Sequence, residues 1–537
     1  MKKILLSFAL SIFCFSVVCA QDGAKLEAED AVYENCELVE GTQYSGGKAI
    51  AMKEGNGKIT FKYNAAEGGK YTVYVGYDCP KGWGAKVFDV SVRGNKSSVQ
   101  TKADKAEEVE VGTFIMNAGE NTVEITPNWT WYLIDYIRIA SGSSSTVEFD
   151  IAAIPVDSKA TEAAKKVYTF LYDNFGKKTI SGIMTGDMEK ANGDVTQHED
   201  VQAVYKASGR YPALVGFDFL NATGKGADGN DWSKGYTDKS VALAKDLYRR
   251  GGIPAFTWHW CDPARETSDF YANEQAKEKP CTTKISQAMN ADGSWNTASD
   301  LYKNMVKDIH TVADYFLQLQ EAGVACIFRP LHEASGGWFW WGTDGGENCA
   351  KLYQLIFDEM VNKKGVHNVI WVWNPNTVSD ADWNPGATIF DVISIDIYNK
   401  AGDYSSNYAT FDKLKAMSEG KKLIALSENG PIPDIEKEIE EEAVWSWWMP
   451  WYQSWGGKYV DQTSAEEWKK CMEDNRVVTL EDLSEGWGTF IDTAIKSLKA
   501  AETTSRAIYD LQGRRLSEAE APAKGIYVQD GKKFVIK

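Results

Sequence analysis

Apolar and polar residues alternate one by one through much of residues 24–140. The runs Lys58–Tyr63, Tyr71–Tyr77, Val87–Val92 and Thr122–Thr126 place apolar side chains at every second position, the period of a strand buried on one face. Turns rich in Gly and Asn separate them, so this region reads as strands only and predicts a β-sandwich. From about residue 155 to 500 the rhythm changes, and short apolar runs alternate with longer amphipathic segments. Eight runs read as strands: Ile180–Met184, Ala213–Phe219, Ile253–Trp258, Ala325–Pro330, Val369–Trp373, Val392–Ile397, Leu423–Ser427 and Val444–Met449. Ser240–Arg250, Leu301–Ala322 and Ala350–Lys363 lie between them with helical spacing. Eight β-then-α units predict an α/β fold of the (β/α)8 TIM-barrel type. A doubly wound open sheet is the alternative, weakened because no Gly-rich phosphate loop follows any of these strands.

The ends follow other patterns. Lys2 and Lys3 precede the apolar run Ile4–Cys19, and Val18-Cys19-Ala20 offers a cleavage site before Gln21. That predicts a signal peptide over 1–20 and a protein exported to the extracellular space, the cell surface or the periplasm. A lipoprotein reading on Cys19 is weaker, since Ser16 and Val18 lead into it poorly. The expected order is then a β-sandwich module over 21–140, a linker over 141–154 with the Gly/Ser stretch 141–145, a barrel over 155–500 and a tail over 501–537.

Composition narrows the partners. A net charge of −18 repels phosphate, which argues against nucleic acid and anionic membrane surfaces. No segment after the leader reaches the ~20 apolar residues of a spanning helix, so membrane insertion is not expected. A soluble monomer acting on a neutral or cationic substrate fits. Of nine cysteines, Cys14 and Cys19 fall in the leader. Cys261 and Cys281 bracket one loop and are the best candidate disulfide, Cys326 reads as a buried strand thiol, and none has zinc-ligand spacing.

In a barrel the chemistry sits just past the C-terminal ends of the strands. The fourth strand runs into Arg329-Pro-Leu-His332-Glu333 and then Trp338-Phe-Trp-Trp341, and the seventh into Ser427-Glu428-Asn429. The sixth ends Asp396-Ile-Tyr398-Asn399, and the third Trp258-His259-Trp260. A lone Glu at a strand end is more often a cap or a surface charge. Two of them across one barrel mouth supply what glycoside hydrolysis needs: one carboxyl to protonate the leaving oxygen and one carboxylate to attack or to activate water. His-Glu after a strand also suggests metal ligation, but there is no His-Glu-x-x-His and no second histidine close by in the chain. Many of the 20 tryptophans follow the strands, among them Trp258, Trp260, Trp340, Trp371, Trp447 and Trp448, and a ring of them at the mouth would stack on sugar faces.

Taken in order, Arg329-Pro-Leu-His-Glu333, Trp338-Phe-Trp-Trp-Gly342, Asp396-Ile-Tyr398-Asn399 and Ser427-Glu428-Asn429 resemble glycoside hydrolase family 26, the β-mannanase family, over about residues 155–500. The resemblance implies a retaining enzyme that needs no catalytic cofactor, with Glu333 as acid/base and Glu428 as nucleophile. It also implies that Tyr398 hydrogen-bonds the nucleophile and that Trp338 stacks at the cleavage subsite. Arg329 would support the carboxylates, His332 would orient the acid/base or touch sugar, and His259 would line the site. An endo-β-1,4-mannanase acting on mannan, glucomannan or galactomannan is the expectation. The family also holds mixed-linkage β-glucanases and β-1,3-xylanases, so another β-glycan is the alternative, and a non-catalytic carbohydrate-binding protein the third reading. The N-terminal region is similar to carbohydrate-binding modules of family 35 or 6, through Leu26-Glu-Ala-Glu-Asp30 and Trp131-Tyr-Leu-Ile-Asp-Tyr-Ile-Arg-Ile139. That likeness implies a structural calcium on Glu27, Glu29 and Asp135, with Trp129 and then Trp83 as candidates to stack on ligand. The stretches Ile508–Leu516 and Gly525–Lys537 read as hairpins and resemble the end of the C-terminal sorting domains of Bacteroidetes-type secretion.

Overall fold

One-by-one alternation gives each N-terminal strand an apolar face, and two sheets bury those faces against each other. In a computed structural model, which describes residues 23–142 and 146–491 and the backbone of 509–510, 525–529 and 532–536, these strands pair antiparallel. One sheet runs in the order Glu37–Glu40, Lys48–Met52, Tyr132–Ser141, Gly69–Cys79, Lys105–Met116, with Ala24–Glu27 also paired to Tyr132–Ser141. The other runs Val32–Glu34, Lys58–Ala65, Gly119–Pro127, Val87–Val92, Asn95–Gln100. Ile59, Phe61, Phe88, Val90, Val123 and Ile125 are buried, each worth roughly 1.5–3 kcal/mol of apolar transfer. This module lies within the first of two compact units, Met1–Thr146 and Val147–Lys537.

The second unit holds the barrel. Its strands are β1 (Thr179–Met184), β2 (Leu214–Asp218), β3 (Ile253–Thr257), β4 (Cys326–Arg329), β5 (Val369–Trp373), β6 (Val392–Ile397), β7 (Leu423–Asn429) and β8 (Trp447–Pro450). Each pairs in parallel with the next, and β8 closes on β1 through Ile180–Trp447. Helices cover the outside, so the strands are buried on both faces and read as unbroken apolar runs rather than alternating ones. Asn230 caps Asp231–Arg249 and Ser299 caps Asp300–Glu321, which fixes where two of these covering helices begin.

Three expectations change here. Cys261 and Cys281 are both buried as free thiols, and Cys326 is a buried thiol in β4. Trp258, Trp260, Trp340, Trp341, Trp371, Trp447 and Trp448 are core residues with 2% exposure or less, so the expected ring of tryptophans at the mouth is mainly packing. The two C-terminal hairpins become one three-stranded antiparallel sheet, Tyr509–Asp510, Gly525–Gln529 and Lys532–Ile536. The expected leader over 1–20, linker residues 143–145 and most of the tail lie outside the described residues.

Candidate active site

The chain leaves β4 through a tight turn in which Leu331 (φ 51°) and Glu333 (φ 52°) both take left-handed backbone. Such conformations cost a non-glycine residue about 1–3 kcal/mol, and here they face the Glu333 carboxyl into the mouth. The Glu333 amide donates to Asn374 Oδ1 (3.1 Å), and Asn374 Nδ2 donates to Asp396 Oδ1 (3.0 Å), so the end of β5 ties the β4 turn to β6. Between β6 and β7 the register slips: Ile395 faces Leu426, but Asp396 faces Glu428. That bulge inserts Ser427 as an extra residue and sets the two acids side by side.

Three carboxylates thus converge, with oxygens of Glu333, Asp396 and Glu428 all within 4.8 Å of one another. Buried Arg329 lies among them, donating from Nη1 to Asp396 Oδ2 (2.8 Å) and from Nη2 to Glu428 Oε1. Its guanidinium already supplies the positive charge that a metal would bring to this cluster. Tyr398 presents an exposed ring edge to the cleft and turns its hydroxyl inward onto Glu428 Oε2 (2.6 Å). Glu428 therefore has a donor on each oxygen. Glu333 accepts a hydrogen bond from Trp338 Nε1 (3.1 Å), and its carboxyl is also hydrogen-bonded to Asp396. Burial, and then the negative charges of Asp396 and Glu428, push the Glu333 carboxyl well above the usual carboxylate range. Burial likewise raises Asp396. One guanidinium cannot balance three carboxylates, and Arg329 is taken by two of them, so the retained proton falls to Glu333.

The histidines form a chain. His259 Nδ1 bonds Asp218 Oδ2 (2.5 Å), its Nε2 lies 3.2 Å from His332 Nε2, and His332 Nδ1 lies 3.3 Å from Thr257 Oγ1. Burial, then the nearby charge of Arg329, lowers the His332 pKa well below its ordinary value, so the ring is neutral. A second histidine does stand beside His332, from β3, although none is near it in the chain.

An open cleft of about 510 Å³ contains Glu333, Glu428, His259, His332, Trp338 and Tyr398, so six of the seven candidate barrel residues line it. Arg329 lies beneath. The aromatic walls are Trp338 together with Trp451, Tyr452, Trp455 and Tyr459 from the β8 loop. Asp396, Asn374 and Asp218 were not singled out as site residues from sequence. Each sits at a strand end, which is the one signal that could have marked it.

In the N-terminal module, Glu27 Oε2, Glu29 Oε2 and Asp135 Oδ1 are buried without a hydrogen-bond partner. Ser45 ties the group together, its amide to Asp135 Oδ2 (3.1 Å) and its hydroxyl to Glu27 Oε1 (2.8 Å). Gly46 sits at φ 64°, and a Cβ there would stand 2.4 Å from Glu29 Oε1 and push that carboxylate aside. Lys25, 3.7 Å from Glu27, is the nearby cation. Unpartnered carboxylate oxygens are the donor type that a calcium ion takes. Trp129 is 51% exposed, as a stacking residue needs to be. Trp83 is half-buried against Ala49, Ala51 and Leu133, which makes it mainly a packing residue. Its edge-on partner Trp131, 48% exposed at φ 81°, is the second exposed indole.

The model of glycosyl hydrolase family 26 matches residues 156–481, and that of carbohydrate binding module family 35 matches residues 24–142. The chain is 31% identical over 472 residues to mannan endo-1,4-beta-mannosidase B of Piromyces sp, covering 85% of this chain and 76% of that one. Among solved structures it resembles the GH26-CBM35 β-(1,4)-mannanase of Podospora anserina, with TM-score 0.55, 28% identity and coverage of 87% of this chain and 100% of that one. It also resembles a β-mannanase from a symbiotic protist of the termite Reticulitermes speratus, complexed with gluco-manno-oligosaccharide, with TM-score 0.56, 35% identity and coverage of 63% and 99%.

Proposed function

Since the chain belongs to glycosyl hydrolase family 26, we propose that it is a secreted, retaining endo-β-1,4-mannanase that cleaves between Glu333 and Glu428. The observation that carries this reading is the carboxylate cluster. Oxygens within 4.8 Å suit the ~5–5.5 Å carboxyl separation of retaining enzymes better than the ~6.5–9.5 Å of inverting ones. Mannan is the substrate named for the relatives across most of the chain.

In the first step Glu333 gives its proton to the glycosidic oxygen while a Glu428 oxygen attacks the anomeric carbon. The C–O bond to the leaving sugar breaks, and an α-linked glycosyl ester forms on Glu428. That ester is neutral, so one of the negative charges holding the proton on Glu333 disappears and Glu333 becomes able to act as a base. In the second step Glu333 takes a proton from water, the water oxygen attacks the anomeric carbon, and Glu428 leaves as carboxylate. Arg329 stays charged throughout, held by Asp396 even while Glu428 is esterified. His332 and His259 line the cleft as hydrogen-bonding groups for sugar hydroxyls. Trp338 both donates to Glu333 and offers its face at the cleavage point. The open cleft supports attack within a chain.

Tyr398→Phe removes one of the two donors on the nucleophile. A charge-assisted hydrogen bond is worth about 1.5–3 kcal/mol, so kcat/KM should fall roughly 10- to 100-fold in steady-state assays; an unchanged value would remove Tyr398 from the mechanism. Reducing-sugar release from mannan, glucomannan, mixed-linkage β-glucan and β-1,3-xylan tests the sugar. Release from either of the last two but from no mannan would transfer the same mechanism to another substrate, and binding without release would make the chain a carbohydrate-binding protein.

The N-terminal module is read as a carbohydrate-binding module that calcium stabilises through Glu27, Glu29 and Asp135, while Trp129 and Trp131 meet the polysaccharide. At a hundredfold excess over its Kd, calcium would contribute about 2.7 kcal/mol to the module. Chelation should therefore lower the module's melting transition by roughly 10 °C or more, at about 4–8 °C per kcal/mol. Calcium should restore it in differential scanning calorimetry, and no response would show that the acids hold no metal. Export rests on the leader pattern of residues 1–20, and N-terminal sequencing of protein from culture medium should begin at Gln21.

A further inference from the structure

Trp455 combines two features that packing does not ask for. Its indole is 57% exposed, and its backbone sits at φ 52°, ψ 21°, the left-handed region that a bulky residue occupies only when its surroundings impose it. It stands on the β8 loop, edge-on to Tyr452 (5.6 Å, 85°), and lines the cleft that holds Glu333 and Glu428. It also lines a smaller adjoining cavity of about 140 Å³ that extends toward Asp218 and Tyr236. Gly186 of the β1 loop lies beneath it, so close that a Cβ there would be 3.3 Å from the indole Cε3 and 2.3 Å from Ser454 Oγ.

One buried carboxylate holds this loop in place. Asp200, fully buried in the first turn of the helix Glu199–Ser208, accepts from the amides of Gln453 (2.7 Å) and Ser454 (2.7 Å) on Oδ1. Its Oδ2 accepts from the Gly186 amide (2.8 Å) and the Ser454 hydroxyl (2.9 Å). Four donors from two loops, distant in sequence, thus close on a single side chain next to Trp455.

We propose that Trp455 is a stacking platform for a backbone sugar outside the cleavage subsite, and that Asp200 is the positioning residue that holds it there. An exposed indole face offers the apolar C–H face of a pyranose what the carboxylate cluster does not, and the platform extends the cleft past the two catalytic acids. This rests on the reading of the chain as a mannanase and adds a second point of grip on its substrate.

The test is Trp455→Ala, Trp455→Phe and Asp200→Asn in the full chain, assayed on mannohexaose and on 2,4-dinitrophenyl β-mannoside, which occupies the cleavage subsite alone. Trp455→Ala should lower kcat/KM for mannohexaose about tenfold, mainly through KM, and leave the aryl mannoside within about twofold. Trp455→Phe should recover most of the loss. Asp200→Asn should reproduce the same selectivity, and adding it to Trp455→Ala should cost little more. Equal rates on mannohexaose for Trp455→Ala and wild type, or equal losses on both substrates, would overturn the platform. Losses that multiply in the double variant would overturn the role of Asp200. Trp455→Ala alone decides the platform if Asp200→Asn does not fold. A wild type inactive on every mannan would overturn the mannanase reading and this inference with it, whereas an active wild type with an unaffected variant overturns only the inference.

Discussion

Replacing Glu428 with alanine is expected to reduce mannan turnover by about 10⁴-fold or more, the scale on which removing a covalent nucleophile acts. The loss should appear in kcat. Arg329 and Tyr398 each direct a donor at Glu428, an arrangement suited to a carboxylate that must attack rather than donate a proton. Removing the side chain leaves a small space beside the anomeric carbon, bordered by the Arg329 cation. Azide should fill it, restore cleavage of an activated aryl glycoside, and yield the α-glycosyl azide. A β-azide or no product would assign the attacking role elsewhere.

Glu333→Ala should act on a different step. With natural substrate the loss should be about 10²- to 10⁴-fold, because the leaving sugar then departs without a proton. A dinitrophenol leaves without one, so the first step on an aryl mannoside should be nearly unimpaired, with the glycosyl-enzyme accumulating behind it. The pH profile gives the sign. The Glu333 pKa is raised, so the acid form is present below that pKa and is lost as pH rises through it. Wild-type kcat/KM should fall on the alkaline side for this reason, and that limb should vanish in Glu333→Ala on the aryl substrate. Equal losses on natural and activated substrates would contradict the assignment.

Much of this site was readable from order along the chain. Apolar runs that alternate with amphipathic segments define a barrel, and in a barrel a strand end is a place at the mouth. That logic placed Glu333 just past β4 and Glu428 at the end of β7. It reached Asp396 at the end of the sixth strand but not its place as the third carboxylate, because only the bulge around Ser427 brings it opposite Glu428. A one-residue slip in register leaves no mark in composition. The Asp218–His259–His332 chain and the Asp200 node escaped for a related reason, since each joins residues from different strands or loops through side-chain geometry. Tryptophans misled in the other direction. Trp258 and Trp260 flank His259, yet both are core residues, while Trp455, with no apolar run around it, reaches the cleft. Periodicity reports which face a residue takes, not whether that face opens on water or on a neighbouring helix.

The central claim is that Glu428 attacks the sugar directly and Glu333 handles both protons. Proton NMR of the anomeric signals during the first minutes of mannohexaose hydrolysis tests it most directly. Double displacement predicts that the newly formed reducing ends appear first as the β-anomer and only later mutarotate. First appearance of the α-anomer would mean that water attacks in a single step, and would contradict the account.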